Sequence, residues 1–344
     1  MSHPTPNVRR AIGVIGAARV GLALSHQIAS NGYDVVLLTT IEERMHEVRK
    51  TRRAPSVLPE LDELHARVHI TMDPKEVADQ CTLLFVTISD YLLNHVAALL
   101  GEHLDGAHML VHATHSLYGD TLQRGTQVLE ENTCVKQLGV LAGPIHMSEL
   151  LAAKPNVALI ASEFPGVIER AREALANEVF HLYASSDVRG VEYAAALHQI
   201  VALAIGMADG LQLGSATHAA FAAAGLSEIS RIGVQQGAHP DSFYGVVGIG
   251  RIVDALQRGG PNYSLGVTLA QADDLEQALK DAPIESKGPE VVEQLMAWAE
   301  HNGVELPFTS SIARILDGAD MEKELRGLML QQELFAPSQR TIAR

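Results

Sequence analysis

The first regular pattern along the chain is the apolar run Ala11–Ile15, which ends at Gly16 and gives way to Val20, Leu22, Ala23 and Ile28 at helical spacing. That change of period predicts a strand, a tight turn and a helix. Asn31 and Gly32 signal a turn, and Val35–Leu38 is then apolar at every position, as in a parallel strand covered on both faces. The three segments make a βαβ unit. Further strand candidates at Leu83–Thr87, Met109–His112 and Val157–Ala161 alternate with helical stretches such as Asp90–Leu104, which predicts a doubly wound sheet. The pattern changes near Ser185–Asp187. From Val191 to Leu213 the chain is rich in alanine and glycine and apolar nearly all round, predicting a central helix buried on most sides, and helical patterns continue to about Leu330. The expected fold is α/β: an N-terminal Rossmann doubly wound sheet over residues 1–187, then an all-helical domain over 188–344. Substrate chemistry is expected in the cleft between them.

Composition narrows the class. A chain of 344 residues, 47% hydrophobic, can bury a full core. Its 41 acidic against 26 basic residues give a formal charge of −15, which repels phosphate backbones and anionic lipid, so neither nucleic acid nor membrane is an expected partner. A small anionic substrate stays possible, because a cleft can focus the opposite sign. Cys81 and Cys134 lack CxxC spacing, which excludes a disulfide framework and suits a reducing cytoplasm. Met1–Arg10 is short and polar, without the apolar core of a signal peptide, and no run suggests the roughly 20 apolar residues of a membrane span. A soluble, cytoplasmic protein is expected.

Gly16-Ala17-Ala18-Arg19-Val20-Gly21 stands where a GxGxxG turn belongs, directly after a strand and at a helix start. Gly16 permits the tight turn, Gly21 permits close helix–strand packing, and the helix N-terminus faces a pyrophosphate. Ala18 replaces the middle glycine, at some loss of backbone closeness. A nicotinamide dinucleotide is the expected cofactor. The second strand ends in Thr39 and Thr40, where an Asp or Glu usually takes the ribose hydroxyls, so NAD and NADP both stay open. Arg19 or Arg44 could meet a 2′-phosphate.

Four further segments, in order, carry a resemblance over nearly the whole length: Leu141-Ala142-Gly143-Pro144-Ile145-His146-Met147-Ser148-Glu149, Asp187-Val188-Arg189-Gly190-Val191-Glu192, Gly206-Met207-Ala208-Asp209-Gly210-Leu211-Gln212-Leu213-Gly214, and Gly303-Val304-Glu305-Leu306-Pro307. The chain resembles the NAD(P)-dependent glycerol-3-phosphate dehydrogenase family, as a divergent member. The resemblance implies that the family's proton-donating lysine and the asparagine after it correspond to His198 and Gln199. A second active-site lysine falls on His115, an aspartate on Arg251, and the phosphate-gripping Arg-Asn pair on Pro261 and Asn262. His218 takes a basic position, and Ser89, Ala142 and Lys287 join the turn residues as cofactor contacts. Without the guanidinium at 261 the bidentate grip on phosphate is lost, so a substrate other than glycerol 3-phosphate is expected. Arg258 or Arg251 could hold an anion instead.

The expectation is therefore an oxidoreductase moving hydride between NAD or NADP and a small hydroxy or keto compound. His198 is the proton carrier, and His115, Gln199, Asn262 and Arg251 complete the site. Two alternatives stay open. One is a metal-dependent, non-redox enzyme in which His115, His146, His198 and His218 converge on a transition metal; the other is a noncatalytic dinucleotide- or metabolite-binding protein. Glu192 either orients a neighbour or serves as a charge at a helix start. His65, His69, His95, His103, His108 and His301 are expected to be solvated, and a homodimer is expected by analogy.

Overall fold

The structure, a computed structural model, describes residues 11–258, 260–331 and 334. Met1–Arg10 and the last ten residues lie outside it, as does the side chain of Arg258. The chain divides into two compact units: one holds the residues to His115 with Gly125–Val188, the other Ser116–Arg124 with the residues from Arg189 onward. The segment 116–124 thus belongs to the second unit, although it lies in sequence within the first.

The first unit contains strands β1 (Ala11–Ile15), β2 (Val35–Leu38), β3 (Val68–Thr71), β4 (Cys81–Val86), β5 (Met109–His112), β6 (Gln137–Ala142), β7 (Asn156–Ala161) and β8 (Phe180–Ser185). Helices α1 (Arg19–Ser30), α2 (Glu42–Thr51), α3 (Pro74–Gln80), α4 (Leu93–Gly101), α5 (Gly125–Asn132), α6 (Met147–Leu151) and α7 (Pro165–Leu175) connect them. The sheet runs β3-β2-β1-β4-β5-β6-β7-β8, parallel throughout except for the antiparallel pair β6 and β7. Strand order reverses between β1 and β4, and the carboxyl ends of such strands form the crevice in which doubly wound sheets bind ligands. Ile15 pairs there with Leu38 on one side and Val86 on the other.

Sequence and structure agree at β1, β2 and β5, where unbroken apolar runs are buried on both faces. Three strands went unanticipated. At β3 an exposed histidine interrupts the buried run and at β8 buried and exposed positions alternate, as at a sheet border, while β6 carries Gly139 in its middle and opens with a glutamine. Beneath the sheet Ile12, Val14, Leu22, Leu24, Ile28 and Leu37 are sealed from solvent, each worth about 1.5–3 kcal/mol in transfer free energy. The expectation for His108 was wrong: it is completely buried, with Nε2 bonded to the Ala78 carbonyl oxygen at 3.0 Å.

The second unit is helical: α8 (Val188–Gly210), α9 (Ser215–Gln235), α10 (Asp241–Tyr244), α11 (Ile249–Arg258), α12 (Pro261–Gln271), α13 (Leu275–Lys280), α14 (Gly288–Asn302), α15 (Pro307–Leu316) and α16 (Met321–Met329). Helix α8 starts and stops three residues before the expected span; it stops there because the chain turns at Gln212 and Gly214, both at positive φ. Contrary to expectation, α8 is long and apolar enough to cross a bilayer. Its apolar stretch is nevertheless entirely buried in the protein, which makes it a core helix.

Candidate active site

The turn after β1 is tight and leads straight into a helix start. Gly16 has φ +108°, and its N–H bonds to the Leu38 carbonyl at 2.9 Å. Ala18 ends the turn as the N-cap of α1 and offers no side-chain acceptor, so the N–H groups of the first helical turn, Arg19 to Gly21, remain available at its positive end. At Gly21 a Cβ would lie 1.8 Å from the Gly16 carbonyl oxygen and 2.6 Å from Thr87 Oγ1, so only glycine lets α1 approach the turn this closely. Thr87 supports the turn from beside it, its hydroxyl donating to the carbonyls of Ile15 and Gly16 at 3.0 and 3.2 Å. These features fit a dinucleotide pyrophosphate.

The chemistry-bearing side chains of the second unit meet on α8. Successive residues His198 and Gln199 are both buried and point to different partners. Arg251, in the first turn of α11, donates from Nε to Nε2 of His198 at 3.2 Å. Since a guanidinium only donates, that bond fixes Nε2 as the unprotonated nitrogen and leaves the ring proton on Nδ1. Burial lowers the affinity of Arg251 for its proton, and Asp254 opposes that shift. Gln199 accepts from Asn262 Nδ2 at 3.1 Å, while Asn262 Oδ1 accepts from the backbone N–H of Gly288 at 2.6 Å. The amide pair thereby ties the starts of α12 and α14 to α8.

A family model described as NAD-dependent glycerol-3-phosphate dehydrogenase N-terminus matches residues 11–167, and one described as the C-terminus of the same enzyme matches 187–326. The chain belongs to the NAD-dependent glycerol-3-phosphate dehydrogenase family. A glycerol-3-phosphate dehydrogenase (NAD(P)+) of Exiguobacterium is 32% identical over 323 residues, covering 92% of this chain and 94% of the relative. One from Salinibacter ruber is 31% identical, covering 93% and 95%. The crystal structure of the Coxiella burnetii glycerol-3-phosphate dehydrogenase superposes with a TM-score of 0.86 at 24% identity, over 94% of this chain and 99% of that one. The chain is accordingly an NAD(P)-dependent dehydrogenase of this family, with NAD or NADP as its cofactor.

The other sequence-predicted residues fall in varied surroundings. Thr39 is buried, its Oγ1 accepting from the N–H of Ile41 at 3.1 Å, whereas Thr40 is exposed. Arg19 forms a two-point contact with Glu60 at 2.6 and 3.0 Å. Arg44 is held by Glu47 and, at 2.9 Å, by Ser56. Both arginines considered for a 2′-phosphate therefore already face carboxylates. Ala17 and Ala142 are buried, Ala142 at the end of β6 and just before Gly143 at φ +145°. Val20 is partly buried in the α1 packing. Ser89 precedes a short 3₁₀ turn, Asp90–Leu92, and Asp90 in turn accepts from the His115 backbone N–H at 3.2 Å. Lys287 stands at the N-cap position of α14 and pairs with Glu290 at 2.9 Å.

Within the second unit, His198 and His218 do not converge. His218 lines a cavity of about 510 Å³ with Asp209, Gln212, Ser215 and Gln271, and its Nε2 lies 3.5 Å from Asp209. Asp209 is eleven residues beyond His198 on α8, about 16 Å along the helix. Among the described residues no three His, Cys, Asp or Glu side chains form a metal-binding group. Sequence reasoning also missed the role of Arg124, which donates to the buried Glu192 at 2.8 Å, while the Tyr193 hydroxyl donates to the Leu122 carbonyl at 3.3 Å. No sequence signal links residues 68 apart. Thr87 was legible only as the end of a strand.

Proposed function

We propose that this member of the family oxidises or reduces a small hydroxy or keto compound other than glycerol 3-phosphate, with His198 as the proton carrier. The observation that carries the reading is the bond from Arg251 Nε to His198 Nε2 at 3.2 Å, which presents a neutral imidazole with one basic nitrogen. When bound at the Gly16 turn, the dinucleotide supplies or accepts the hydride. Nε2 takes the proton of a substrate hydroxyl on oxidation and returns one to a carbonyl oxygen on reduction. Imidazole suits this task because its ordinary proton affinity already matches neutral pH, whereas lysine needs burial to reach it. Arg251 donates to Nε2, so the substrate has to engage Arg251 as it engages His198. The Gln199–Asn262–Gly288 chain of bonds holds α8, α12 and α14 in register behind the imidazole. Pro261, where the resemblance implies a phosphate-gripping arginine, supports a substrate without that group.

The test is steady-state kinetics on a carbonyl panel with NADH and NADPH, for the parent and His198→Ala. The variant is expected to bind cofactor normally and to lose about 10²–10⁴-fold in kcat. Turnover by the variant within tenfold of the parent would remove His198 from the reaction.

A further inference from the structure

We infer that this chain prefers NAD to NADP and that Glu60 enforces the choice, by occupying Arg19 and keeping a carboxylate fixed beside it. This rests on the dinucleotide reading of the Gly16 turn and selects one of its two cofactors. Gly16 N–H bonds to the Leu38 carbonyl at 2.9 Å, so the turn that leads into Arg19 lies against the end of β2. Rossmann sheets seat the adenosine ribose at that strand end, where an arginine nearby accommodates a 2′-phosphate. Arg19 is the first residue of α1, and its guanidinium meets both carboxylate oxygens of Glu60, at 2.6 and 3.0 Å. Such two-point pairing is also how a guanidinium receives a phosphate, so Glu60 takes the place that the 2′-phosphate would need. A cation in the first turn of a helix opposes the helix dipole, and α1 has no acidic residue there. Glu60 supplies that negative charge from a different segment.

The backbone that carries Glu60 is anchored. In the loop between α2 and β3, Ala54, Leu58, Leu61 and Leu64 are buried in the core, and Leu61 N–H bonds to the Leu58 carbonyl at 3.2 Å, closing a turn around Glu60. Arg52 ties the base of the loop by donating to the Leu64 and Val68 carbonyls at 3.0 and 2.9 Å. A phosphate that took Arg19 would therefore leave a displaced carboxylate close by. The bond from Arg19 holds the Glu60 carboxyl below the usual carboxylate range, so it is charged at neutral pH. Arg44 offers no easier partner, because Glu47 and, at 2.9 Å, the Ser56 hydroxyl of the same loop engage it. The first turn of α2, directly after β2, adds Glu42 and Glu43, both exposed. A 2′-phosphate meets like charge on each of these approaches, whereas a ribose 2′-hydroxyl is neutral and can donate to a carboxylate.

The test is fluorescence titration of the full chain with NADH and NADPH, which needs no substrate, the folded state being checked by circular dichroism. The readout is the ratio of the two dissociation constants. The parent is expected to bind NADH tighter by on the order of 10–100-fold at low ionic strength, and the ratio should shrink as salt screens the exposed carboxylates. Glu60→Gln should lower the ratio about tenfold, and Glu60→Asp, which keeps the charge, should hold it within about threefold of the parent. Adding Arg19→Gln to Glu60→Gln should return the ratio to the parent's range, since the freed guanidinium is what receives the phosphate. A purely structural Glu60 would instead change both affinities together and leave the ratio in place. If the parent binds NADPH as tightly as NADH, or if the ratio is the same in Glu60→Gln, the selectivity inference falls while the dinucleotide site stands. If neither nucleotide binds, the site at the Gly16 turn fails and takes the inference with it.

Discussion

Replacing Gly21 by alanine tests the dinucleotide turn with a single methyl group. The new Cβ would stand 1.8 Å from the Gly16 carbonyl oxygen and 3.0 Å from its carbon, both backbone atoms, and 2.6 Å from the Thr87 hydroxyl. Comfortable contact needs about 3.5 Å, so α1 must retreat from the turn by roughly 1.7 Å. Leu22, Leu24 and Ile28 retreat with it from a sealed core, an overpacking penalty of about 2–3 kcal/mol. The same retreat carries the first-turn N–H groups away from the pyrophosphate. Losing most of one charge-assisted hydrogen bond there weakens cofactor binding about 10–100-fold. Fluorescence titration with NADH and NADPH reads the affinity, and calorimetry reads the stability. Gly327→Ala, on α16 with nothing within 4 Å of the added carbon, is the control expected to change neither by much. If Gly21→Ala binds either cofactor within threefold of the parent, the turn is not the pyrophosphate site.

Two further predictions concern the helical unit. Glu228 is buried on α9 and accepts from the N–H groups of Phe308 and Thr309 and from the Thr309 hydroxyl, at 2.9, 2.8 and 2.7 Å, so it caps α15 from a distance. Burial raises its pKa above the usual 4.5, only partly offset by those hydrogen bonds and by Arg231. A raised carboxyl favours the protonated folded state, so its contribution is complete below pH 4.5 and is lost as pH rises through the raised value. Glu228→Gln should flatten that limb of the pH–stability curve. Because it offers one acceptor oxygen to three donors, it should also cost on the order of 1–3 kcal/mol at pH 7. Denaturant titrations across pH check both, and an unchanged limb would refute the assignment. Tyr263 donates to Asp209 Oδ2 at 2.6 Å, and that bond, with burial and the Asp209 charge, pushes the phenol up to about 12. The stabilisation from the bond persists below the ordinary tyrosine range and disappears as pH passes the raised value. Ultraviolet difference titration should show one late tyrosine that Tyr263→Phe removes and Asp209→Asn shifts downward; a late tyrosine surviving both changes would contradict it.

The legible parts of the fold are those whose burial is local. β1, β2 and β5 lie inside the sheet, where every side chain is covered, and their unbroken apolar runs need no knowledge of distant partners. Among the described residues β3 pairs with β2 alone and β8 with β7 alone, and the exposed positions at these edges, His69 in β3 and His181, Tyr183 and Ala184 in β8, thin the hydrophobic signal. His108 shows the same limit from the other side. Read beside Asp105 and Gly106 it belongs to an exposed turn, but its Nε2 meets the Ala78 carbonyl, 30 residues earlier, in the interior.

The site was legible as a set of residue types but not as a set of pairs. His198 and Arg251 were both visible as replacements, for a lysine and an aspartate by the family resemblance, yet 53 residues of sequence separate them. At 3.2 Å the two side chains are in contact, so on the proposed reading their replacement is one change. An arginine placed beside a retained lysine would set two fixed cations against each other, a repulsion of about 5 kcal/mol at an effective dielectric near 20. Imidazole removes the conflict because it can stay neutral and offer a lone pair to the guanidinium, which lysine does only after giving up its proton. In the proposed reaction the permanent charge resides on α11 and the mobile proton on α8.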